Sequence, residues 1–143
     1  ALIENCQGKR LNAHYLAYFD CFNRQLFYEA HDVLEELWLR DKKSPNYAFY
    51  KGLIQYAGAF VHLQKNRLRP AAALFKLARA NLLQYRALHE DLDLGALLLT
   101  LQEWLTDLET TDFTQNPLNP DHIPPFLAPR AEGPSASPNP KQS

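Results

Sequence analysis

The side chains best suited to chemistry stand together in one helical stretch, residues 26–41. His31 and Glu35 are four residues apart, so a helix places them on one face beside Leu34 and Trp38. A histidine and a carboxylate are costly to bury unless they have polar partners. Such a pair can bind a divalent metal ion, bind a small ligand, or transfer a proton as a general acid or base. This pair is therefore the best candidate for a functional site.

The next helical stretch supplies possible partners for the pair. Gln55 and His62 are seven residues apart and share a helix face. We expect the two stretches to form a helical hairpin that closes near residues 42–43. Two residues that face each other across it then have sequence numbers whose sum is about 85. His31 then faces Gln55, whereas His62 lies about 10 Å further along the axis.

The predicted pocket also draws on the stretch before residue 26. The same arithmetic places Tyr18 opposite His31, Glu29 at the rim of the pocket and Trp38 in its wall. His62 joins only if the helices cross steeply. The predicted ligand pocket comprises Tyr18, Glu29, His31, Glu35, Trp38, Gln55 and His62.

Three interpretations of this cluster are open. The first is a divalent-metal site with His31 and Glu35 as ligands and a third ligand from His14, Glu29 or His62, although the chain lacks a His-Glu-x-x-His motif. The second is a metal-free pocket in which His31 and Glu35 bind or protonate a small ligand. If the protein is an enzyme, these two residues are the catalytic candidates, with His31 as the general acid or base. The third is a buried hydrogen-bond network that only fixes helix register.

The elements that must position these residues are helices. Apolar residues recur at helical spacing between residues 11 and 110, and no segment alternates with period two, which predicts an all-α domain without strands. The predicted helices cover about 11–23, 26–41, 45–66, 70–89 and 94–109. Ser44 is expected to cap the third helix and Asp93 the fifth, with Pro45 and Pro70 at helix starts. Short connections make consecutive helices antiparallel neighbours.

Proline placement divides the chain. Of the ten prolines, eight lie after residue 116, where a residue that fixes φ and lacks an N–H group disfavours regular structure. We predict an N-terminal extension over residues 1–10 and a helical domain over 11–110. An extended strap over 111–127 should pack on that domain, followed by a disordered Pro/Ser-rich tail over 128–143.

Composition excludes several classes of protein. A chain of 143 residues with 46% hydrophobic and 22% charged residues fits one globular domain and excludes disorder of the whole chain. No apolar run reaches the roughly 20 residues of a membrane span. Two cysteines are too few for a disulfide scaffold, which predicts reduced thiols and a cytoplasmic protein.

Charge gives little support for a nucleic-acid partner. The formal net charge is −1, so no general attraction to a polyanion is expected. Six basic residues and no acidic residue lie between Lys65 and Arg86. This run is either a phosphate-binding stripe or a solvated face balanced by acidic neighbours, and the scarcity of aromatics for base stacking favours the second interpretation.

The run from Phe22 to Trp38 resembles the signature of the domain of unknown function 309 family. It reads Phe-Asn-x-x-x-Phe-Tyr-Glu-Ala-His-Asp-Val-Leu-Glu-Glu-Leu-Trp, and Gly-Leu-Ile-Gln at 52–55 and His-Leu-Gln at 62–64 match in order. The resemblance covers about residues 11–83 and implies a small multihelical prokaryotic or organellar protein of unassigned biochemistry. It also implies that the polar motif positions fall on Glu29, His31, Glu35, Gln55 and His62.

Two functional hypotheses follow. The first is a small cytosolic helical protein with a polar inter-helix pocket, around His31 and Glu35, that binds a small ligand or a metal ion. The alternative is a non-catalytic interaction or scaffold module whose buried polar residues are structural, an idea supported by a partial tetratricopeptide-like pattern of small residues over 59–78. The fifth predicted helix is apolar over more than one stripe, which predicts a homodimer.

Overall fold

The computed structural model describes residues 11–130, and the predicted N-terminal extension and residues 131–143 of the predicted tail lie outside the described residues. Within this range the chain forms five helices and one two-stranded hairpin. The elements are α1 (Ala13–Asn23), α2 (Phe27–Arg40), α3 (Tyr47–Gln64), α4 (Leu68–Leu82), β1 (Leu88–His89), β2 (Leu92–Asp93) and α5 (Leu94–Thr110). The predicted fold class, a domain of about five packed helices, is confirmed.

Helix α3 is the centre of the fold, and it packs on both α2 and α4. Its apolar and small residues are buried around most of the helix. They are Phe49, Gly52, Leu53, Ile54, Tyr56, Ala57, Gly58, Ala59, Phe60 and Leu63. Phe60 shows how the layers meet, because its ring lies edge-on to Phe75 of α4 at 5.3 Å and to Trp104 of α5 at 5.0 Å. Such edge-to-face pairs stabilise a core beyond the apolar area they bury.

Several helix ends differ from the sequence prediction, including the start of α4, which lies two residues before Pro70. The Ser44 hydroxyl accepts a hydrogen bond from the backbone N–H of Asn46 at 3.0 Å, in a turn that precedes α3, so the helix begins later than a cap at Ser44 would require. Helix α4 ends at Leu82 instead of near His89. The prediction for Asp93 is confirmed, since its carboxylate accepts from the N–H of Ala96 at 2.9 Å.

A short hairpin follows α4, although no strand was expected. Each strand has two residues, too few to show an alternating pattern. The turn residues Glu90 and Asp91 have φ values of 49° and 60°, as a tight hairpin turn requires. Two hydrogen bonds stabilise this turn. The Tyr15 hydroxyl donates to the Glu90 carbonyl at 3.0 Å, and the Asn46 side-chain amide donates to the Glu90 carboxylate at 2.9 Å.

Residues after α5 contact three of the helices. The Asn23 side chain pairs with the backbone of Leu127, donating to its carbonyl at 2.7 Å and accepting from its N–H at 2.8 Å. Asn116 donates to the carbonyl of Leu63 at 2.7 Å, and the ring of His122 stacks on Trp104 at 4.4 Å. These contacts fix residues 116–127 against α1, α3 and α5.

The basic residues of α4 meet acidic and polar side chains of α5. Lys76 Nζ lies 3.4 Å from a Glu109 carboxylate oxygen, and Arg79 donates to Gln102.

The five helices within residues 11–130 lack the combination of length and apolar character that crossing a bilayer requires.

Candidate functional site

A cavity of about 200 Å³ lies where α2, α3 and α4 meet. Its walls combine apolar and hydrogen-bonding side chains, namely Tyr28, His31, Ile54, Gln55, Gly58, Val61, His62 and Leu74. Gln55, Gly58 and His62 are three and four residues apart, so they form one stripe on α3. The structure thus brings three of the predicted pocket residues, His31, Gln55 and His62, to one hollow.

Gly58 lines the hollow on α3, where the helix has no side chain. A Cβ atom built there would lie 3.2 Å from Leu74 Cδ1, closer than an ordinary van der Waals contact, and 3.8 Å from His31 Cδ2. Leu74 belongs to α4 and His31 to α2, so a methyl group at Gly58 would touch the walls that both helices contribute. Neither contact is with backbone, so the helices themselves stay apart at this level.

His31 lines the cavity and offers one ring nitrogen as an acceptor. Its Nδ1 lies 3.2 Å from an Asp32 carboxylate oxygen. An ionised carboxylate only accepts hydrogen bonds, so Nδ1 carries the hydrogen, and in the neutral ring Nε2 is a free acceptor. The carbon beside Nε2 in the ring, Cδ2, is the atom that faces Gly58. Nε2 has no partner among the described residues and can accept a hydrogen bond from a ligand.

Gln55 presents a donor. Its amide oxygen accepts a hydrogen bond from the Asn81 side chain at 2.7 Å. That contact fixes the amide plane and uses the oxygen, while the amide nitrogen keeps both hydrogens for another acceptor. Gln55 therefore complements His31 on the cavity wall.

His62 is an unpaired polar group at the other end of the stripe. Its Nδ1 is buried and has no hydrogen-bond partner within residues 11–130. Burial lowers the pKa of His62 below its ordinary value of 6.5, and the positive charges of Arg67 and Lys65 lower that pKa further. The ring is therefore neutral at pH 7. A buried polar atom without a partner costs about 1–3 kcal/mol of stability.

The stretch that builds the cavity is similar to a known protein family. Residues 15–74 match the model of the DUF309 family, a domain of unknown function. The predicted resemblance is confirmed, and the matched residues include every residue that lines the cavity. No curated protein and no solved structure matches the chain.

Three other predicted pocket residues of the DUF309 stretch lie away from the cavity. Tyr18 is buried in the core, where its hydroxyl donates to the Leu53 carbonyl at 2.6 Å and burial raises its pKa well above the usual range. Glu29 is exposed on α2. Trp38 packs against the ring of Tyr47 at 5.0 Å, near the start of α3.

Glu35 belongs to a second group that shares His31 with the cavity. His31, Asp32 and Glu35 each offer one ligand atom, and these atoms lie within 4.8 Å of one another. A nitrogen and two carboxylate oxygens suit several divalent metals. His14, considered as a third ligand, instead lies 3.3 Å from Glu36. The Asp32 side chain is 49% exposed, so the group faces solvent.

Sequence reasoning missed Asp32, Tyr28 and Leu74. Helical spacing groups residues that are three, four or seven positions apart. Asp32 directly follows His31, and its side chain contacts the His31 ring. Tyr28 precedes His31 by three residues, and their rings are nearly parallel at 6.4 Å, so helical spacing would have found it. Leu74 comes from α4, and only the tertiary fold places it here.

A larger hollow elsewhere has fewer side chains that could take part in chemistry. It has a volume of about 550 Å³ and lies between α1 and residues 126–130. Its charged residues include Asp20 and Arg24, whose side chains lie 3.5 Å apart, and no histidine or cysteine within residues 11–130 lines it. The cavity beside Gly58 is therefore the better candidate for a functional site.

Proposed function

We propose that this protein binds a small molecule in the cavity between α2, α3 and α4. One observation carries the proposal: three side chains with unused hydrogen-bonding capacity, His31, Gln55 and His62, line a single hollow of about 200 Å³. Ligand sites are typically apolar concavities with a few convergent polar groups. Ile54, Val61 and Leu74 supply the apolar wall.

Within this proposal His31 has the leading chemical role. Asp32 holds the Nδ1 hydrogen, so the acceptor Nε2 is available for a ligand proton. If the bound molecule is also transformed, His31 is the general base. Asp32 orients the His31 ring, because it makes the hydrogen bond to Nδ1.

A fragment screen on the full chain tests the proposal. We expect some compounds to shift the methyl NMR signals of Ile54, Val61 and Leu74, which report on the cavity wall. The matched control is Gly58→Ala, because its added methyl group occupies the hollow and should abolish those shifts. A chemically varied screen in which no compound moves these signals would contradict the proposal.

A second candidate function is metal binding at His31, Asp32 and Glu35, favoured by the convergence of their ligand atoms. Elemental analysis of the full chain, purified without chelator, is the direct test. Stoichiometric metal that is lost in both His31→Ala and Glu35→Gln would support the site. A metal-free parent protein that also fails to bind added zinc would rule it out.

We further propose a cytoplasmic location, which depends on the thiols being reduced. Within residues 11–130, Cys21 forms no disulfide. We also propose the division into a helical domain over 11–110 and a strap over 111–127. A homodimer also remains a proposal, although α5 exposes less apolar surface than the sequence predicts. Most apolar residues of α5 are buried within the chain, and Leu99, at 71% exposed, is an exception.

A further inference from the structure

The size of the cavity narrows the class of ligand it can take. An apolar cavity of about 150 Å³ is large enough to hold one benzene molecule. At about 200 Å³ the cavity beside Gly58 has room for one ring with a small substituent. Tyr28 and His31 add aromatic rings to the aliphatic wall.

The polar groups of the wall narrow the class further. His31 offers an acceptor at Nε2, since Asp32 occupies the other ring nitrogen. Gln55 offers amide hydrogens, since Asn81 occupies its oxygen. A hydroxyl group matches this pair, because its hydrogen can be donated and its oxygen can accept. No lysine or arginine is among the lining residues to bind a phosphate or a carboxylate directly.

We infer that the cavity selects single-ring phenols, with the ring hydroxyl donating to His31 Nε2 and Asp32 acting as the positioning residue that keeps Nε2 free of hydrogen. This inference rests on the proposed function, because it names the ligand class of the same site. The ring lies over Gly58 against Val61 and Leu74, and the hydroxyl lies toward α2.

Phenol and toluene are the matched probes, because they have nearly the same size and differ in the hydroxyl group. We expect phenol to bind the full chain about tenfold more tightly than toluene, the effect of one hydrogen bond to an otherwise unpaired acceptor. Affinities come from titrating the methyl NMR signals of Ile54, Val61 and Leu74. Gly58→Ala should remove binding of both probes.

The role of Asp32 is tested through His31. In Asp32→Asn the ring is no longer held in one tautomer, so the preference for phenol over toluene should fall toward unity while toluene affinity is unchanged. Glu36→Gln is the control, since Glu36 is an exposed acid on the same helix whose hydrogen-bond partner is His14, and it should retain the preference. The nitrogen NMR spectrum of the His31 ring gives a second measurement: Nε2 should be free of hydrogen before phenol is added, and its signal should shift on addition.

The possible results separate the two proposals. Equal affinity for phenol and toluene, or a phenol preference that Asp32→Asn leaves intact, would overturn the inference and leave the cavity as a ligand site. Failure of both probes, with another compound shifting the cavity methyl groups, would also overturn only the inference. If no compound of any class shifts those signals, both proposals are wrong.

Discussion

Helix α3 carries two glycines in contact with α4, and the two places differ. At Gly52 an added Cβ would lie 2.8 Å from the Leu82 side chain and 3.3 Å from the Ala78 carbonyl oxygen. At Gly58 it would meet side-chain ends only, 3.2 Å away on Leu74 and 3.8 Å away on His31. The absence of a side chain thus lets two helices touch at Gly52 and leaves a cavity at Gly58. The candidate site lies where packing is incomplete and polar atoms lack partners.

The largest predicted effect on stability is at Gly52, where α3 and α4 touch. Gly52→Ala should destabilise the protein by about 1–3 kcal/mol, because the methyl group overlaps Leu82 and approaches the backbone of α4. Urea denaturation of the full chain measures the change. An unfolding midpoint equal to that of the parent protein would show that α4 can move away freely, and the contrast between the two glycines would then be lost.

A smaller effect is expected for Tyr18→Phe. The Tyr18 hydroxyl donates to Leu53, beside Gly52, so its removal should cost about 1 kcal/mol of unfolding free energy. Fragment binding should be unaffected, because Tyr18 lies away from the cavity. A variant with parental stability but weakened binding would place Tyr18 in the site after all.

Gly58→Ala should change stability by no more than about 1 kcal/mol. The gain in helix propensity, about 1 kcal/mol, is offset by a small displacement of Leu74. Thermal unfolding of this variant beside Gly52→Ala compares one substitution at two positions of the same helix. Equal destabilisation by the two substitutions would mean that the cavity is not open space.

His31→Ala separates the pocket from the scaffold hypothesis. The pocket hypothesis predicts lost binding with little change in unfolding free energy, since the His31 side chain is 30% exposed and contacts the exposed Asp32. The scaffold hypothesis predicts the reverse, a loss of about 1–3 kcal/mol with no ligand effect. Urea denaturation and a fragment titration on the same variant decide between them.

The smallest effect concerns pH. The pKa of His62 is lowered in the folded protein, so below pH 6.5 the unfolded chain binds more protons and the unfolding free energy falls as pH falls. This contribution is fully present above pH 6.5. His62→Gln should therefore flatten the dependence of stability on pH just below 6.5. An unchanged slope would mean that the neutral His62 ring contributes nothing to acid sensitivity.

The sequence predicted the fold well, because helical spacing of apolar residues decides it. Asp93 signalled the start of α5 correctly, whereas Ser44 supports a turn before α3. The β1–β2 hairpin was missed because strands of two residues have no period to detect.

The candidate site was predictable only in part. His31 and Gln55 followed from spacing within α2 and α3, and from the arithmetic of one hairpin. Leu74 and the hollow at Gly58 depend on the angle and distance at which α4 crosses α3, which side-chain packing sets. Tyr18 was misplaced into the cavity since residue numbers give the level along a helix and not the direction in which a side chain points.

Methyl NMR spectra of the full chain and of Gly58→Ala, recorded during addition of phenol, test the central claim most directly. We predict that phenol shifts the signals of Ile54, Val61 and Leu74 in the parent protein and leaves them unmoved in the variant. Signals that stay unmoved in both proteins, with every other fragment as well as phenol, would contradict the claim that the cavity beside Gly58 is a ligand site.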